Sequence, residues 1–274
     1  MIDVNRRVLP GFRLSLGYTL VYLSLLVVIP LSACFFKAAS LGLDDFVAAV
    51  WTPRARAAYA LTFGAAFVAA FINTILGVLV AWVLVRYQFP FKRLFDALVD
   101  LPFALPTAVA GLVYSSLYVK AGWLGRFLVQ LGIQGSYSRL AIVLVLTFIG
   151  LPFIVRTVQP ILGDLDAEIE EAAACLGASR GQTFVRVIVP SLLPAIITGF
   201  ALAFARGLGE YGSVVFVSGN MPLRTEIAPV LIVASLESFH YREAAAIAVV
   251  LLAASLAMLV LINWLERWSK GYGN

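Results

Sequence analysis

The stretch Ala57–Val85, AAYALTFGAAFVAAFINTILGVLVAWVLV, contains no charged residue. A helix needs about 20 apolar residues to cross the hydrocarbon core of a bilayer. Inside lipid every backbone polar group must be hydrogen-bonded, so only helices and closed β-barrels span a membrane. The stretch lacks the alternation of polar and apolar residues that is typical of barrel strands. It therefore predicts a membrane-spanning helix.

Uncharged stretches of this kind recur along the 274-residue chain. Only 13% of the residues are charged and 62% are hydrophobic, whereas a soluble domain carries roughly 25% charged residues. The other uncharged stretches are Leu14–Phe36, Leu101–Val119, Leu140–Val155, Val187–Ala205 and Ala244–Leu265. We predict an all-α integral membrane protein with about six transmembrane helices in a single domain, residues 1–274. The predicted spans are 14–36, 58–86, 98–119, 140–160, 191–217 and 243–265.

The distribution of basic residues predicts the orientation. Six spans place both termini on the same side of the membrane. The loops on that side carry somewhat more Lys and Arg than the opposite loops, which favours cytoplasmic termini. The apolar run that ends at Cys34 resembles a lipoprotein cleavage site, but it is longer than the roughly 7–15 residues of a signal peptide. We therefore expect an uncleaved first span.

The polar residues give no pattern that indicates catalysis. The chain has no phosphate-binding loop of the type GxxxxGK[ST] and no arrangement typical of a hydrolase. Its single histidine, His240, has no neighbouring cluster of metal ligands. We expect no enzymatic activity, no metal site and no nucleic-acid partner. Uphill transport by this chain would need energy from another subunit.

Two spans contain features that could line a pathway. The third begins with Asp100-Leu-Pro102, and Pro106-Thr107 follows shortly after. Two prolines four residues apart either kink a helix or break it, and broken helices in membranes tend to line cavities. In the second span, small residues recur every fourth position around Asn73. Such a row favours close helix packing, and Asn73 is its one polar member that could face a pathway.

The predicted fifth span carries two charges. Arg206 and Glu210 are four residues apart, so they share a face of a helix. Ionisable residues inside a bilayer face a cavity or each other. The pair could therefore line a gate, with Arg206 attracting a passing anion, or it could be an internal ion pair.

A loop at residues 163–190 is predicted to be cytoplasmic. Asp164 or Asp166 can cap a first helix, and Gly177 is placed to end it. Ser179 and Gln182 form the capping-box pattern of a second helix. This helix–Gly–helix elbow could insert into a groove on a partner, or it could pack on its own bundle.

The elbow resembles the EAA loop of the permeases of ATP-binding-cassette (ABC) importers. The matching residues are Glu171, Ala172, Ala173, Gly177 and Pro190, with Val in place of the family's Ile and Leu before the proline. The resemblance implies that the loop is a coupling helix that docks on a cytoplasmic ATPase subunit. It also implies the type I importer (MetI-like) fold.

Further segments are similar to the sulfate/thiosulfate permeases of the CysT (CysU) type. They are Leu98–Gly111, Gly209–Asn220 and Met221–Pro229. The resemblance implies a multi-pass permease subunit of a sulfate/thiosulfate importer in the bacterial inner membrane. A molybdate, tungstate or other oxyanion permease is an alternative, and an ATP-independent channel or carrier is another. The candidates for the pathway or gate are Asp100, Pro102, Pro106, Thr107, Arg206, Glu210, Tyr211 and Ser213.

The same resemblance implies the partners. They are a second, CysW-like permease, two copies of the ATPase and a periplasmic sulfate-binding protein, together with the lipid bilayer. The resemblance implies that this chain binds no cofactor itself, and that ATP and Mg²⁺ are bound by the ATPase.

Overall fold

The computed structural model describes residues 12–270, which form helices joined by turns, with no strand among them. The first helices are α1 (Phe12–Leu23), a π-helical turn (Ser24–Val28), α2 (Ile29–Ala39), α3 (Leu43–Val50) and α4 (Pro53–Arg86). They are followed by α5 (Lys92–Val99), α6 (Leu101–Ala104), α7 (Thr107–Tyr118), α8 (Gly125–Gln130) and α9 (Arg139–Gly163). Next come α10 (Ala167–Cys175), α11 (Arg180–Thr183), a second π-helical turn (Phe184–Ile188) and α12 (Val189–Leu208). The last are α13 (Val214–Val217), α14 (Ala228–Glu237) and α15 (Tyr241–Lys270).

Five helical segments within residues 12–270 are long and apolar enough to cross a membrane. They are Leu14–Ala39, Pro53–Arg86, Arg139–Gly163, Arg180–Leu208 and Tyr241–Ile262. Each overlaps one of the predicted spans, and the prediction of an all-helical membrane protein is confirmed. The predicted third span, residues 98–119, is instead divided among the short helices α5, α6 and α7.

Proline explains the break in the third predicted span. Leu105, which precedes Pro106, has an extended backbone (φ −86°, ψ 132°), and α6 ends before it. A proline disfavours helical geometry at the preceding residue, and its missing N–H removes a helical hydrogen bond. A new helix, α7, begins at Thr107. Of the two alternatives for this segment, the break is therefore the one found.

The helices α4, α9 and α12 pack against one another and form the centre of the molecule. The row of small residues on α4 lies in this contact. A Cβ added at Gly77 would come within 2.6 Å of the Ile154 side chain, so the helix backbones approach closely. Asn73 is fully buried beside Gly150 and does not face a pathway on the surface of this chain. The packing interpretation of the row is the correct one.

The helix that leads into α12 differs from the prediction at both ends. The helical path runs from Arg180 through the π-helical turn and past Pro190 and Pro194 to Leu208. Pro190 lies in the first turn of α12, where a missing N–H is tolerated. The helix ends at Leu208, before the predicted limit at residue 217. Gly209, a weak helix former, is the residue that follows.

Coupling elbow and candidate gate

The segment after α12 forms a tight turn around a buried carboxylate. The Glu210 side chain is 2% exposed. Its Oε1 accepts hydrogen bonds from the backbone N–H and the hydroxyl of Ser213, both at 2.9 Å. Its Oε2 lies 2.6 Å from Nη1 of Arg206. The two charges therefore form an ion pair, although Glu210 lies just beyond the end of the helix and not on it.

Arg206 combines this pair with access to solvent or substrate. Its side chain is 34% exposed, and Nη1 of its guanidinium is held by Glu210. Arg206 also lies in the last turn of α12, where the helix dipole favours a cation. The geometry is compatible with both interpretations of the pair, since Glu210 holds the guanidinium while the Arg206 side chain stays about one-third exposed.

The turn after α12 packs closely on α7. A Cβ added at Gly111 would lie 2.8 Å from Cα of Ser213, and one added at Gly212 would collide with the Thr107 hydroxyl. Only glycines allow this approach. The structure thus brings Thr107, at the start of α7, next to the turn that holds Arg206 and Glu210. These residues form what we call the candidate gate: Thr107, Arg206, Glu210 and Ser213.

The other gate candidates have different surroundings. Tyr211 is half-buried and packs against the apolar cluster of α4, α9 and α13. Pro102 is buried, whereas Pro106 is exposed at the break before α7. Asp100 belongs to a separate polar cluster. The positions of these residues in the sequence therefore did not indicate which of them lie together in the structure.

Asp100 binds an arginine on α9. Arg156 donates to both carboxylate oxygens of Asp100, from Nε at 2.8 Å and from Nη2 at 2.6 Å. It also donates to Oδ1 of Asp96 at 2.7 Å. Burial raises the pKa of Asp96, but hydrogen bonds from Arg156 and Gln159 outweigh it and bring the pKa below its ordinary value. This cluster joins α5 and α6 to α9.

The role of Arg156 was not predicted from the sequence. The residue directly follows the uncharged stretch Leu140–Val155 and falls within the predicted span 140–160. A charge within such a run is a signal in itself, because a charge at membrane depth needs a partner. The apolar run alone did not indicate that the partners of Arg156 are the carboxylates of Asp96 on α5 and of Asp100 just after it.

A second ion pair fixes the segment after α13. Arg54, at the start of α4, donates from Nε and Nη2 to the two oxygens of Glu226, each at 2.7 Å. The backbone N–H of Ala228 donates to the buried Thr62 hydroxyl at 2.8 Å. These bonds attach the segment before α14 to α4. Neither the Arg54–Glu226 ion pair nor the hydrogen bond from Ala228 to Thr62 was predicted, since the partners are far apart in sequence.

The elbow has the local structure that its sequence predicts. Helix α10 ends in a Schellman motif: Gly177 has φ 82°, and the N–H of Ala178 donates to Ala173 O at 3.0 Å. Ser179 and Gln182 form the capping box at the start of α11. The N-cap of α10 is Asp166, whose side chain makes no capping bond. The bend between α10 and α11 is thus fixed by the Schellman motif on one side and by the capping box on the other.

The elbow projects its residues outward. Leu176, at its tip, is 89% exposed, and Glu171 and Ala172 are exposed as well. Leu165, just before α10, packs on the central cluster instead. Pro190 lies beyond the elbow, in the first turn of α12. Glu171, Ala172 and Leu176 are therefore accessible to a partner protein.

The family of the chain follows from comparison with known proteins. The model for the binding-protein-dependent transport system inner membrane component matches residues 73–270. The chain belongs to this family.

Curated relatives extend this similarity over nearly the whole chain. A sulfate transport system permease protein CysT from Synechocystis sp. is 52% identical over 93% of this chain and 90% of the relative. The proteins of the same name from Salmonella typhimurium and Escherichia coli are 48% and 47% identical, each over 96% of this chain and 95% of the relative.

Solved structures agree on the fold. A chain of a bacterial alginate ABC transporter superposes with a TM-score of 0.76 at 17% identity, covering 93% of both chains. A chain of the MetNI methionine ABC transporter gives a TM-score of 0.55 at 18% identity, over 84% of this chain and 99% of that one. For this inner membrane component, the MetI-like permease fold predicted from sequence is confirmed.

Proposed function

We propose that this chain is the permease subunit of an ABC importer for sulfate and thiosulfate. The observation that carries the proposal is the similarity to sulfate permeases over more than nine-tenths of the chain. The fold agrees with it, because five apolar helices and a rigid exposed elbow suit a membrane pathway driven by a separate motor.

The proposal includes a complete importer. Two ATPase subunits bind ATP and Mg²⁺, a CysW-like permease forms the other half of the pathway, and a periplasmic binding protein delivers the anion. This chain itself binds no cofactor. It lies in the bacterial inner membrane with its termini and the elbow in the cytoplasm. The cytoplasmic placement of the elbow is supported by its resemblance to the EAA loop, which docks on a cytoplasmic ATPase subunit.

Coupling is proposed to act through the elbow. The exposed face around Glu171, Ala172 and Leu176 fits a groove on the ATPase. Closure of the ATPase dimer on ATP would draw the two elbows together and open the pathway outward, and hydrolysis would reverse the movement. Because the Schellman motif and the capping box fix the bend between α10 and α11, and the helical path continues into α12, a displacement of the tip is passed to α12 with little local deformation.

The candidate gate is proposed to contact the anion in transit. Arg206 offers a partly exposed side chain, held in place by Glu210, close to the turn that packs on the start of α7. Neutralisation of part of its charge by Glu210 keeps the attraction weak, and a weakly held anion leaves readily.

The first experiment identifies the partners. The tagged chain, extracted in mild detergent, is expected to bring with it a second permease and an ATPase. Uptake of radiolabelled sulfate by cells that depend on this chain should be inhibited by thiosulfate and little affected by molybdate. Isolation of the chain without an ATPase would favour a channel or carrier. Stronger competition by molybdate than by thiosulfate would favour the alternative oxyanion permease.

The second experiment tests the elbow. Glu171→Lys should reduce ATPase association or sulfate uptake while membrane insertion is retained, because a cation replaces the exposed carboxylate on the docking face. Glu237→Lys, an exposed change far from the elbow, is the control. Normal uptake together with normal recovery of the ATPase in the Glu171 variant would contradict the coupling role.

The third experiment tests the gate. Arg206→Gln can still donate to Glu210 but carries no charge, so it separates anion attraction from structure. We expect reduced sulfate uptake with normal ATPase association. Arg206→Ala should show the same loss together with a lower thermal stability, since Glu210 is then buried without its partner. Unchanged uptake in Arg206→Gln would leave Arg206 with a structural role alone.

A further inference from the structure

The elbow helix α10 has few attachments to the rest of the chain. Leu165 anchors the segment before it, and α11 with its π-helical turn follows it. Within residues 12–270, one side-chain ion pair joins α10 itself to a long apolar helix. It links Glu170 on α10 to Arg86 on α4.

Aromatic contacts fix the arginine of this pair. Arg86 is in the last turn of α4, and its guanidinium lies 5.5 Å from the centre of the Trp82 ring. The Trp82 ring in turn meets the Phe184 ring edge-on, with 5.3 Å between centroids. Phe184 belongs to the π-helical turn that follows the elbow. Two contacts thus connect α4 to the elbow region: Arg86 with Glu170 on α10, and Trp82 with Phe184 in the turn after α11.

The pair is shielded enough to matter energetically. The side chains of Arg86 and Glu170 are 24% and 32% exposed. Fully exposed ion pairs contribute little, because water and salt screen them. Partial burial and a guanidinium that already rests on an indole ring reduce both the screening and the entropy lost on pairing.

The neighbouring glutamates Glu170 and Glu171 on α10 face different directions, which indicates different roles. Glu170 faces α4 and is partly buried, whereas Glu171 faces outward and is exposed. One glutamate is therefore directed to the body of the permease, and the other is available to a partner. The pattern of the EAA loop gave no indication of this division.

We propose that Arg86 is a positioning residue for energy coupling, which holds α10 to α4 through Glu170 and passes movements of the elbow to α4. The role rests on the proposed coupling function of the elbow. Since α4 packs along α9 and α12, a pull on α10 through this pair acts on the centre of the bundle as well as on α12.

The mobility of α10 provides a test that needs no partner. Cys175, on the same helix, is exposed, and Cys34→Ala leaves it as the sole cysteine. A nitroxide on Cys175 in the full chain, in nanodiscs, should become more mobile in Arg86→Glu and in Glu170→Arg. The double exchange Arg86→Glu/Glu170→Arg should restore the spectrum of the parent. Arg93→Glu, a reversal at an exposed arginine on α5, is the matched control.

Sulfate uptake, with unlabelled variants, tests the functional part. Each single reversal should lower uptake about fivefold or more, the scale of a typical coupling energy between sites, while ATPase recovery stays normal. The double exchange should recover most of it. Unchanged probe mobility, or unchanged uptake despite a mobile α10, would overturn the role of Arg86. Failure of the coupling proposal is recognised separately, because Glu171→Lys would then leave uptake and ATPase recovery normal.

Discussion

Single glycines decide how the candidate gate is packed. Gly111 and Gly212 sit where any Cβ would press on the opposite segment. In the sequence they are inconspicuous, because this chain has 21 glycines and nothing in the pattern marks those that make such contacts. The positions of Arg206 and Glu210 were predicted as a pair on one helix, and the pairing is found. Their placement at a helix end was not, since the stop at Leu208 follows from a turn around a buried carboxylate.

Gly111→Ala is predicted to destabilise the protein. The added methyl group would lie 2.8 Å from Cα of Ser213, and backbone on both sides resists movement. We expect a loss of about 1–3 kcal/mol, as in other overpacked sites, seen as a lower unfolding temperature of the purified protein in detergent. Gly64→Ala, on the exposed side of α4, meets nothing within 4 Å and should be neutral or slightly stabilising. Equal unfolding temperatures for the two variants would contradict the packing described for α7.

Glu210→Ala is predicted to be more harmful than any exposed glutamate change. It removes the acceptor for Ser213 and leaves Arg206 without its partner. Because Arg206 remains one-third exposed and can be hydrated, we expect a loss of about 2–3 kcal/mol, below the range for a wholly buried pair. Thermal unfolding in detergent, with Glu237→Ala as the control, measures it. A loss no larger than that of the control would show that the pair contributes little to stability.

At the scale of helices, the sequence predicted most of what local rules control. Charge-free runs predicted the long helices, and Gly177 with Ser179 and Gln182 predicted the elbow. Two prolines left the third span open between a kink and a break, since proline alone does not say whether neighbouring segments can satisfy the freed backbone groups. The ion pairs that fasten helices together were missed, because their partners are distant in sequence.

Helix α5 is predicted to depend on Arg156. In the structure this arginine holds carboxylates of α5 and the residue just after it against α9. Arg156→Leu should increase amide hydrogen exchange in residues 92–99 about five- to tenfold, corresponding to about 1 kcal/mol, since the groups are partly exposed and screened. Arg126→Leu, at an exposed arginine of α8, should leave exchange there unchanged. Equal exchange in the two variants would argue that apolar contacts alone hold α5.

At the scale of the molecule, labelling of the native cysteine Cys175 can test the predicted orientation in the membrane. Cys175 is exposed on α10, and the elbow is predicted to be cytoplasmic. In a Cys34→Ala background, a membrane-impermeant maleimide should fail to label intact spheroplasts and should label inverted vesicles. A permeant maleimide, which reaches both sides, is the control for reactivity. Labelling of Cys175 from outside would reverse the proposed topology.

The close contact of α4, α9 and α12 has a mechanical consequence. Small residues on these helices let the backbones come near each other, and large side chains fit into the gaps that they leave, as Ile154 does against Gly77. Backbones held this near, over several turns, cannot bend independently without opening voids, which cost cohesion. The three helices should then tilt together as one rigid body. Bending would be confined to the glycine-rich turn after Leu208, which would serve as the hinge of the subunit, while the rigid elbow moves with α12.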